Sequence, residues 1–133
     1  MRWYLDASVA LHALLPGGNP RARQWLDSAD DDDDDIYSSV LLNLELSRTL
    51  RREQLEVARA RLVTDRLHQV SIDDGILRFA AAIEPHAKSL DAIHLATCSL
   101  LGSGVTIATH DSMMRDVAGQ LGLDGFDPLA VVR

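Results

Sequence analysis

Short apolar runs that alternate with longer segments of helical periodicity are the strongest constraint on how this chain folds. Strands are predicted at residues 2–5, 36–39, 70–72 and 105–109, and residues 125–132 could add a final short one. Helices are predicted between them, and strands that alternate with helices favour a parallel sheet covered on both faces. The 133-residue sequence therefore predicts an α/β fold with a parallel β-sheet of about four to five strands flanked by helices on both faces, in one domain over residues 1–133.

Six consecutive aspartates, residues 30–35, precede the second predicted strand. Because six like charges repel one another and cannot be packed, this run is predicted to be a solvated loop. Asp73 or Asp74, Ser89 and Asp111 are predicted to cap the helices that follow them. Helical periodicity covers much of the remaining chain, and helices are predicted at residues 8–15, 21–28, 40–55, 57–68, 76–83 and 89–101.

The formal net charge of −7 would by itself argue against a nucleic-acid partner. However, six of the twenty acidic residues belong to the aspartate run, and four more are the candidate site residues described below. Without those ten, ten acids face thirteen Lys and Arg, so the remaining surface is mildly basic. The acidic balance therefore does not exclude an RNA substrate.

The sequence favours an intracellular location over export or membrane insertion. Asp6 interrupts any secretory apolar region before it begins, and Cys98 is the only cysteine, so no intrachain disulfide can form. Residues 92–109 lack a fully charged side chain, but Gly102 and Gly104 favour helix, turn and strand over a membrane span. We therefore expect a cytoplasmic protein with no membrane partner.

Four acidic residues lie inside or beside apolar stretches, where an unpaired charge is costly: Asp6, Glu45, Asp91 and Asp111. Asp6 and Asp111 follow predicted strands, and ligands of open α/β sheets bind outside the carboxyl ends of the strands. Asp91 falls in the first turn of its helix, and Glu45 lies in the middle of another. Acids brought together in this way have raised pKa values or require a counter-cation, and Mg²⁺ prefers oxygen ligands. The four acids therefore predict a metal-dependent enzyme that acts on phosphate esters.

Each acid also has an ordinary structural explanation. Asp6 and Asp111 could be helix caps, and Asp91 could be a favourable first-turn acid. Glu45 could pair with Arg48 one turn later on its helix. Four acids from four separate segments nevertheless map to one edge of the predicted sheet, which favours a common site.

Four segments of the sequence resemble the motifs of a known family. They are Leu-Asp-Ala-Ser-Val at residues 5–9, Ser-Ser-Val-Leu-Leu-Asn-Leu-Glu-Leu at 38–46, Leu-Asp-Ala-Ile-His-Leu-Ala at 90–96 and Thr-His-Asp at 109–111. In this order and spacing they look like PIN-domain ribonucleases, and more narrowly like the VapC-type toxins of bacterial toxin–antitoxin pairs. The resemblance covers essentially the whole chain and implies a PIN-like (Rossmann-like) fold.

The resemblance also implies roles for the matching residues. The four acids match the family's acidic quartet, which implies one or two Mg²⁺ or Mn²⁺ ions, with Asp6 and Asp91 as the first choice for direct ligands. Ser8 and Thr109 match small hydroxyl positions that support the quartet. The implied activity is endoribonuclease hydrolysis that leaves 5′-phosphate and 3′-hydroxyl ends. The implied partners are RNA, a cognate VapB-type antitoxin and a second copy of the chain, in a homodimer.

Two features depart from the family pattern. The aspartate run at residues 30–35 is not part of that pattern, and it lies where it could affect the contact with RNA or with a partner. The segment before Asp91 carries only Lys88, where relatives often have more basic residues. We therefore expect that segment to bind the substrate more weakly than it does in relatives.

Arginines that follow Glu45 are candidates for contacts with RNA phosphates. Arg48 and Arg52 share the face of Glu45, at i+3 and i+7 on the predicted helix. The alternative for these arginines is a solvated helix surface, since Glu53 and Glu56 are nearby.

Other side chains near the motifs have ordinary structural predictions. His94 is expected to pack or to hydrogen-bond locally, and His110 is expected to point to the side opposite Asp111. Arg115, at i+4 from Asp111, is expected to pair with that acid or to tune it. Trp25 is expected in the core, because it repeats at helical spacing with apolar neighbours.

Two alternative functions remain open. A catalytically inactive PIN-like RNA-binding or scaffold module, with structural acids, would show no loss of RNA turnover in chelator. Phosphoryl transfer through a nucleophile at Asp6 is disfavoured, because haloacid-dehalogenase-like phosphatases need a second aspartate two residues later, where this chain has Ser8.

Overall fold

The computed structural model describes residues 1–131, in which five strands form one parallel sheet. The strand order is β3-β2-β1-β4-β5, and all four neighbouring pairs are parallel. This confirms the predicted α/β fold with a parallel sheet of four to five strands. The strands are β1 (Arg2–Leu5), β2 (Asp35–Ser39), β3 (His68–Val70), β4 (Val105–Ala108) and β5 (Asp124–Phe126).

Helices connect successive strands and pack on the sheet. A 3₁₀ turn at Val57–Ala60 precedes the fourth helix. Among residues 1–131, no helix is both long enough and apolar enough to cross a membrane. The helices are α1 (Ala7–Leu14), α2 (Pro20–Asp31), α3 (Leu41–Arg52), α4 (Arg61–Thr64), α5 (Asp74–Ala82), α6 (Ser89–Leu100) and α7 (Ser112–Gln120).

The central strand β1 shows why both faces of the sheet are covered. Successive side chains of a strand point to opposite faces. Trp3 and Leu5 accordingly belong to a core cluster with α1, α2 and α3, whereas Tyr4 belongs to a second cluster with α6 and α7. The prediction of helices on both faces is confirmed, and Trp25 packs in the first cluster with its ring centroid 5.2 Å from that of Trp3.

The order of the strands places a crevice at the carboxyl end of β1. β1 pairs with β2 on one side and with β4 on the other, so the chain leaves the centre of the sheet in two directions. Parallel α/β sheets bind ligands at such a switch point, outside the carboxyl ends of the strands. Asp6 follows β1 directly, and Asp111 lies three residues after β4, so both acids are brought to this edge.

The prediction that residues 30–35 form a solvated loop is correct only in part: the run is largely exposed, but only residues 32–34 lie outside helix and strand. α2 continues to Asp31, and β2 already begins at Asp35. The Asp34 carboxylate accepts hydrogen bonds from Trp3 Nε1 at 2.9 Å and from the terminal ammonium of Met1 at 3.0 Å. The bond from Trp3 is the largest cause of a lowered pKa for Asp34. Specific partners therefore order part of the run, although repulsion between the acids is unchanged.

Arg66 orders the start of the aspartate run. Its guanidinium Nη1 lies 2.8 Å from Asp27 Oδ1 and 2.7 Å from Asp30 Oδ2. One cation between two aspartates of α2 offsets their repulsion, which favours extending the helix into the run.

The predicted helix at residues 57–68 is also wrong in its second half. α4 ends at Thr64, and residues 68–70 form β3, which pairs with β2 through Ser39 and Val70. His68 and Gln69 are exposed on this short edge strand, so no apolar run marks it. The strand predicted at residues 70–72 therefore begins two residues earlier, at His68, and ends at Val70.

Three smaller predictions concern helix ends and the chain terminus. α3 ends at Arg52 rather than near residue 55, and Gln54 then adopts a left-handed backbone conformation with φ of 58°. Ser89 is the first residue of α6 and not its cap; Lys88 occupies the cap position without a side-chain hydrogen bond. The last strand is limited to residues 124–126, and Val132 of the predicted 125–132 strand lies outside the described residues.

Candidate active site

Asp6 is held at the junction of β1 and α1 by a set of short hydrogen bonds. Its side chain is buried and caps α1. Ser8 Oγ donates to Asp6 Oδ2 at 2.7 Å, Thr109 Oγ1 at 2.8 Å and Ser8 N at 3.4 Å. All three donors reach the same oxygen, so within residues 1–131 Oδ1 of Asp6 receives no hydrogen bond from the protein. That oxygen is available to a ligand.

Ser8 and Thr109 also fix the loop after β4 relative to α1. Their hydroxyl oxygens lie 3.2 Å apart, and Ser8 Oγ accepts the backbone N–H of His110 at 2.9 Å. Thr109 Oγ1 accepts the backbone N–H of Asp111 at 3.1 Å. The two hydroxyls therefore join the segments that carry Asp6 and Asp111. Their supporting role in a reaction stays a prediction.

Asp111 begins α7 as its N-cap, as predicted. Its Oδ1 accepts the backbone N–H groups of Met113 at 2.9 Å and Met114 at 3.3 Å. The side chain is exposed, and the second carboxylate oxygen has no hydrogen bond from residues 1–131. Capping thus commits one oxygen of Asp111 and leaves the other for a ligand, as at Asp6.

Asp91 is the acid whose pKa responds to the charges of the other three acids. It lies in the first turn of α6 and is half-buried. Burial is the largest cause of a raised pKa for Asp91, and the negative charges of Asp6 and Asp111 come next. Glu45 raises the same pKa to a smaller degree. The structure therefore brings the four acids into one cluster, within electrostatic reach of Asp91.

Glu45 reaches this cluster from the middle of α3. Its Oε1 lies 2.5 Å from Nε2 of His94 on α6, and its side chain is 18% exposed. The alternative of a surface pair with Arg48 is wrong, because within residues 1–131 the Glu45 carboxylate is hydrogen-bonded to His94 and forms no ion pair with Arg48. Of the two alternatives predicted for His94, packing is confirmed by its complete burial, and a local hydrogen bond is wrong because its partners come from distant segments.

The cluster fits a divalent cation in its chemistry but not as a preformed coordination shell. Carboxylate oxygens are the ligands that Mg²⁺ prefers, and the mutual repulsion that raises the Asp91 pKa is what a cation would offset. However, no group of three His, Cys, Asp or Glu side chains in residues 1–131 is spaced to hold a metal ion. Asp6, Glu45 and Asp111 instead accept hydrogen bonds from other groups of the protein, as described above.

A small crevice opens beside two of the acids. Asp91 and Asp111 line it on one side, and Lys88 stands at the position that precedes α6. Its remaining lining is mostly apolar, with His86 as a second polar group: His86, Ala87, Leu95, Met113, Met114 and Val117. The crevice could not be predicted from the sequence, in which Lys88 is only an isolated basic residue before Asp91, because two distant segments, residues 86–95 and 111–117, form it.

Other candidate residues lie elsewhere or have different partners. Arg48 and Arg52 are exposed on α3; Arg52 lies 3.7 Å from Glu53, and neither arginine lines the crevice. Arg115 does not pair with Asp111, since its Nη1 bonds to the carbonyl of Thr109 at 3.1 Å and lies 3.5 Å from Asp127. An RNA contact through the arginines of α3 stays a prediction.

A comparison against known families identifies the family to which the chain belongs. The PIN domain family matches residues 3–120 of the chain. The chain therefore belongs to the PIN-domain family, and the resemblance found in the sequence is confirmed.

Within that family, the chain is similar to VapC ribonucleases. Ribonuclease VapC35 of Mycobacterium tuberculosis is 36% identical over 126 residues, which cover 90% of this chain and 92% of that protein. Ribonuclease VapC46 of the same organism is 35% identical over 89 residues, which cover 65% of this chain and 68% of that protein.

A solved structure supports the fold. The crystal structure of VapBC2 from Rickettsia felis, bound to a DNA fragment from its promoter, contains a chain that matches with a TM-score of 0.73 at 12% sequence identity. The match covers 96% of this chain and 98% of that chain. At this identity the likeness shows the fold alone.

Proposed function

We propose that this protein is a divalent-metal-dependent endoribonuclease and the toxin of a toxin–antitoxin pair. The observation that carries the proposal is the cluster of four acids at the carboxyl edge of the sheet, with the raised pKa of Asp91 at its centre. Similarity to ribonuclease VapC35 over 90% of the chain supports the same activity. RNA hydrolysis is the chemistry that joins these two facts.

The acids would hold one or two Mg²⁺ or Mn²⁺ ions. When bound, such an ion lowers the pKa of the attacking water and stabilises negative charge on the leaving oxygen. Asp6 and Asp91 are the first choice for ligands, since Oδ1 of Asp6 is available and a cation would offset the negative charges that raise the pKa of Asp91. Glu45 and Asp111 complete the set, and Ser8 and Thr109 orient Asp6 through the hydrogen bonds to its other oxygen.

Substrate binding would rest on cations around the acidic cluster. Phosphate contacts from Lys and Arg supply most of the affinity for nucleic acid and make it depend on salt. Lys88 lines the crevice beside Asp91 and Asp111 and would contact a phosphate next to the bond that is cut. Arg48 and Arg52 would extend the contact along α3.

Two protein partners complete the proposal. An acidic cleft attracts a basic segment, so a VapB-type antitoxin would inhibit by inserting Arg or Lys beside the acids. The structural relative from Rickettsia felis is a VapBC complex, which supports an antitoxin partner. Homodimerisation is proposed from the family resemblance.

The proposal is tested by incubating purified protein with a mixed RNA in Mg²⁺, Mn²⁺ or EDTA. We expect cleavage with either metal, none in EDTA, and products with 5′-phosphate and 3′-hydroxyl ends. Asp6→Asn and Asp91→Asn should each reduce cleavage at least 100-fold. Asp65→Asn is the matched control, since Asp65 is exposed at the end of α4, outside the acidic cluster, and should cleave like the parent.

Three results would contradict the proposal. Equal cleavage by the Asp6→Asn and Asp91→Asn proteins would refute the site. Cleavage that survives EDTA and leaves cyclic phosphate ends would indicate histidine chemistry instead. RNA binding without any cleavage, in every metal, would favour the inactive RNA-binding module.

A further inference from the structure

A buried histidine connects the acidic cluster to the core of the protein. His94 on α6 has no exposed surface. Its Nδ1 lies 2.7 Å from the hydroxyl of Tyr4 on β1, and its Nε2 lies 2.5 Å from Oε1 of Glu45 on α3. Both ring nitrogens are therefore paired, one with a fully buried phenol and the other with a proposed metal ligand.

The chemistry of the partners fixes the direction of the bond to Glu45, and for a neutral imidazole it fixes the direction of the bond to Tyr4 as well. An ionised carboxylate can only accept, so Nε2 of His94 must donate to Glu45. In a neutral imidazole the other nitrogen is then an acceptor, and Tyr4 O–H is the donor that reaches it. Burial raises the pKa of the Tyr4 phenol well above its ordinary value, so the phenol keeps this proton at any working pH. With His94 neutral, the hydrogen bonds therefore run from Tyr4 to His94 to Glu45.

These contacts join the three elements that carry three of the acids. Tyr4 lies two residues before Asp6 on β1, His94 lies one turn after Asp91 on α6, and Glu45 lies on α3. The acceptor of the His94 hydrogen bond is the carboxylate of a residue 49 positions away that helps to raise the pKa of Asp91.

We propose that Tyr4 and His94 are positioning residues, which hold the Glu45 carboxylate in the orientation that the acidic cluster needs to bind a divalent cation. The inference rests on the proposed metal-dependent function and adds two residues to it. Neither residue touches the substrate. Hydrogen bonds to a ligating carboxylate of this kind fix its orientation, and their loss weakens metal affinity about 10–100-fold.

Metal affinity is the first test, measured as Mn²⁺ binding by titration calorimetry and by the electron paramagnetic resonance signal of unbound Mn²⁺. His94→Leu, which removes both hydrogen bonds, should weaken Mn²⁺ binding roughly 10–100-fold. Tyr4→Phe keeps the aromatic ring but removes the hydroxyl that fixes the His94 tautomer. Its loss of Mn²⁺ affinity should therefore be smaller than that of His94→Leu. His94→Gln keeps an N–H donor near the position of Nε2 and should recover much of the affinity.

Cys98→Ala is the matched control for a simple packing defect. Cys98 is fully buried on the same helix, one turn after His94, and belongs to the same core cluster as Tyr4. Burial raises the pKa of its thiol to about 12, so it carries no charge that could act on the acids. The control should lose stability and keep the Mn²⁺ affinity of the parent.

The kinetic test separates positioning from substrate binding. In His94→Leu and Tyr4→Phe, kcat at subsaturating metal should fall while KM for RNA stays near the parent value, because neither residue contacts RNA. Saturating Mn²⁺ should restore part of kcat. A change confined to KM would overturn the proposal.

The hydrogen-bond direction has its own test in the metal-free protein. The ¹⁵N chemical shifts of the His94 ring should show a protonated Nε2 and an unprotonated Nδ1, and Tyr4→Phe should mix the two tautomers. A protonated Nδ1 in the parent protein would overturn the role of Tyr4.

The outcomes distinguish this inference from the function on which it rests. If the parent binds Mn²⁺ and Asp91→Asn does not, but folded His94→Leu binds like the parent, the positioning role is wrong and the function stands. If the parent itself does not bind Mn²⁺, both fall. Should His94→Leu fail to fold, Tyr4→Phe and His94→Gln carry the test. The proposal is overturned if Tyr4→Phe binds Mn²⁺ like the parent and if the Mn²⁺ affinity does not depend on an N–H donor at position 94.

Discussion

Thr109 Oγ1 donates to Asp6 Oδ2 across 2.8 Å, and this bond joins the ends of the two central strands β4 and β1. Both residues are buried, so the hydrogen bond is shielded from water. Hydrogen bonds to charged groups are worth about 1.5–3 kcal/mol when the partner would otherwise be left unsatisfied. The stability of the fold and the geometry of the acidic cluster therefore share one contact.

Removal of the Thr109 hydroxyl should cost both stability and activity. Thr109→Val keeps the shape of the side chain but takes one of three donors from Asp6, and we expect a loss of about 2 kcal/mol in the free energy of unfolding. RNA cleavage should fall as well, because Asp6 is less firmly oriented. Urea denaturation in EDTA and a cleavage assay in Mg²⁺ measure the two effects.

Thr106→Val provides the matched control for this change. Thr106 lies on the same strand β4, is only partly buried, and makes no side-chain hydrogen bond within residues 1–131. The control should change the free energy of unfolding by no more than a few tenths of a kcal/mol, since valine suits a strand. Equal losses in the two variants would show that the Thr109–Asp6 bond contributes nothing specific.

The raised pKa of Asp91 predicts a pH dependence of stability. An acid whose pKa is higher in the folded than in the unfolded state binds its proton more tightly when folded. Stability is therefore lost as the pH rises from the ordinary value of 3.8 through the raised value, and ionised Asp91 destabilises the fold above it. Asp91→Asn should remove this loss and be more stable than the parent at pH 7.

The measurement is the free energy of unfolding against pH, in EDTA, for the parent, Asp91→Asn and Asp65→Asn. The Asp91→Asn curve should lie above the parent curve at neutral pH and converge with it at low pH. The exposed Asp65→Asn control should follow the parent. A parent curve that lies above Asp91→Asn at pH 7 would show that Asp91 is stabilised by a partner instead.

The sequence predicted the parts of the fold whose signal is local. β1 and β4 are short apolar runs, and Asp73 and Asp111 cap α5 and α7 because an aspartate before a helix accepts its first N–H groups. Asp6 follows the apolar run of β1 and caps α1 in the same way. These features require only neighbouring residues, so one sequence is sufficient to find them.

The features that the sequence did not predict have a common physical cause: each depends on a partner from a distant segment. Two of the three residues of β3, His68 and Gln69, are polar and exposed, so its pairing with β2 and not a local apolar pattern makes it a strand. Asp34 is ordered by Trp3, which lies 31 residues away. His94 could be recognised as a polar residue on an otherwise apolar helix face, which predicts a buried partner, but no local pattern identifies that partner as Glu45.

Divalent metal should stabilise the folded protein in proportion to its binding. A ligand that binds only the folded state adds RT ln(1 + [L]/Kd), which is about 2.7 kcal/mol at one hundred times Kd. Mn²⁺ should therefore raise the Tm of the parent and of Asp65→Asn, and should raise that of Asp6→Asn or Asp111→Asn much less. A scanning calorimetry series over metal concentration gives the shifts. An equal rise in all four proteins would place the bound metal outside the acidic cluster.

The crevice beside Asp91 and Asp111 predicts a selective role for Lys88 in RNA binding. Lys88 is exposed and makes no ion pair within residues 1–131, although two acids line the same crevice. Lys88→Gln should raise KM for RNA several-fold, leave kcat nearly unchanged, and reduce the slope of log affinity against log salt by about one unit, because one phosphate contact is lost. Arg61→Gln removes a charge of the same sign from exposed α4 and should change neither quantity. An unchanged salt slope in Lys88→Gln would show that no phosphate lies at this rim, and the arginines of α3 would then be the remaining candidates for the RNA contact.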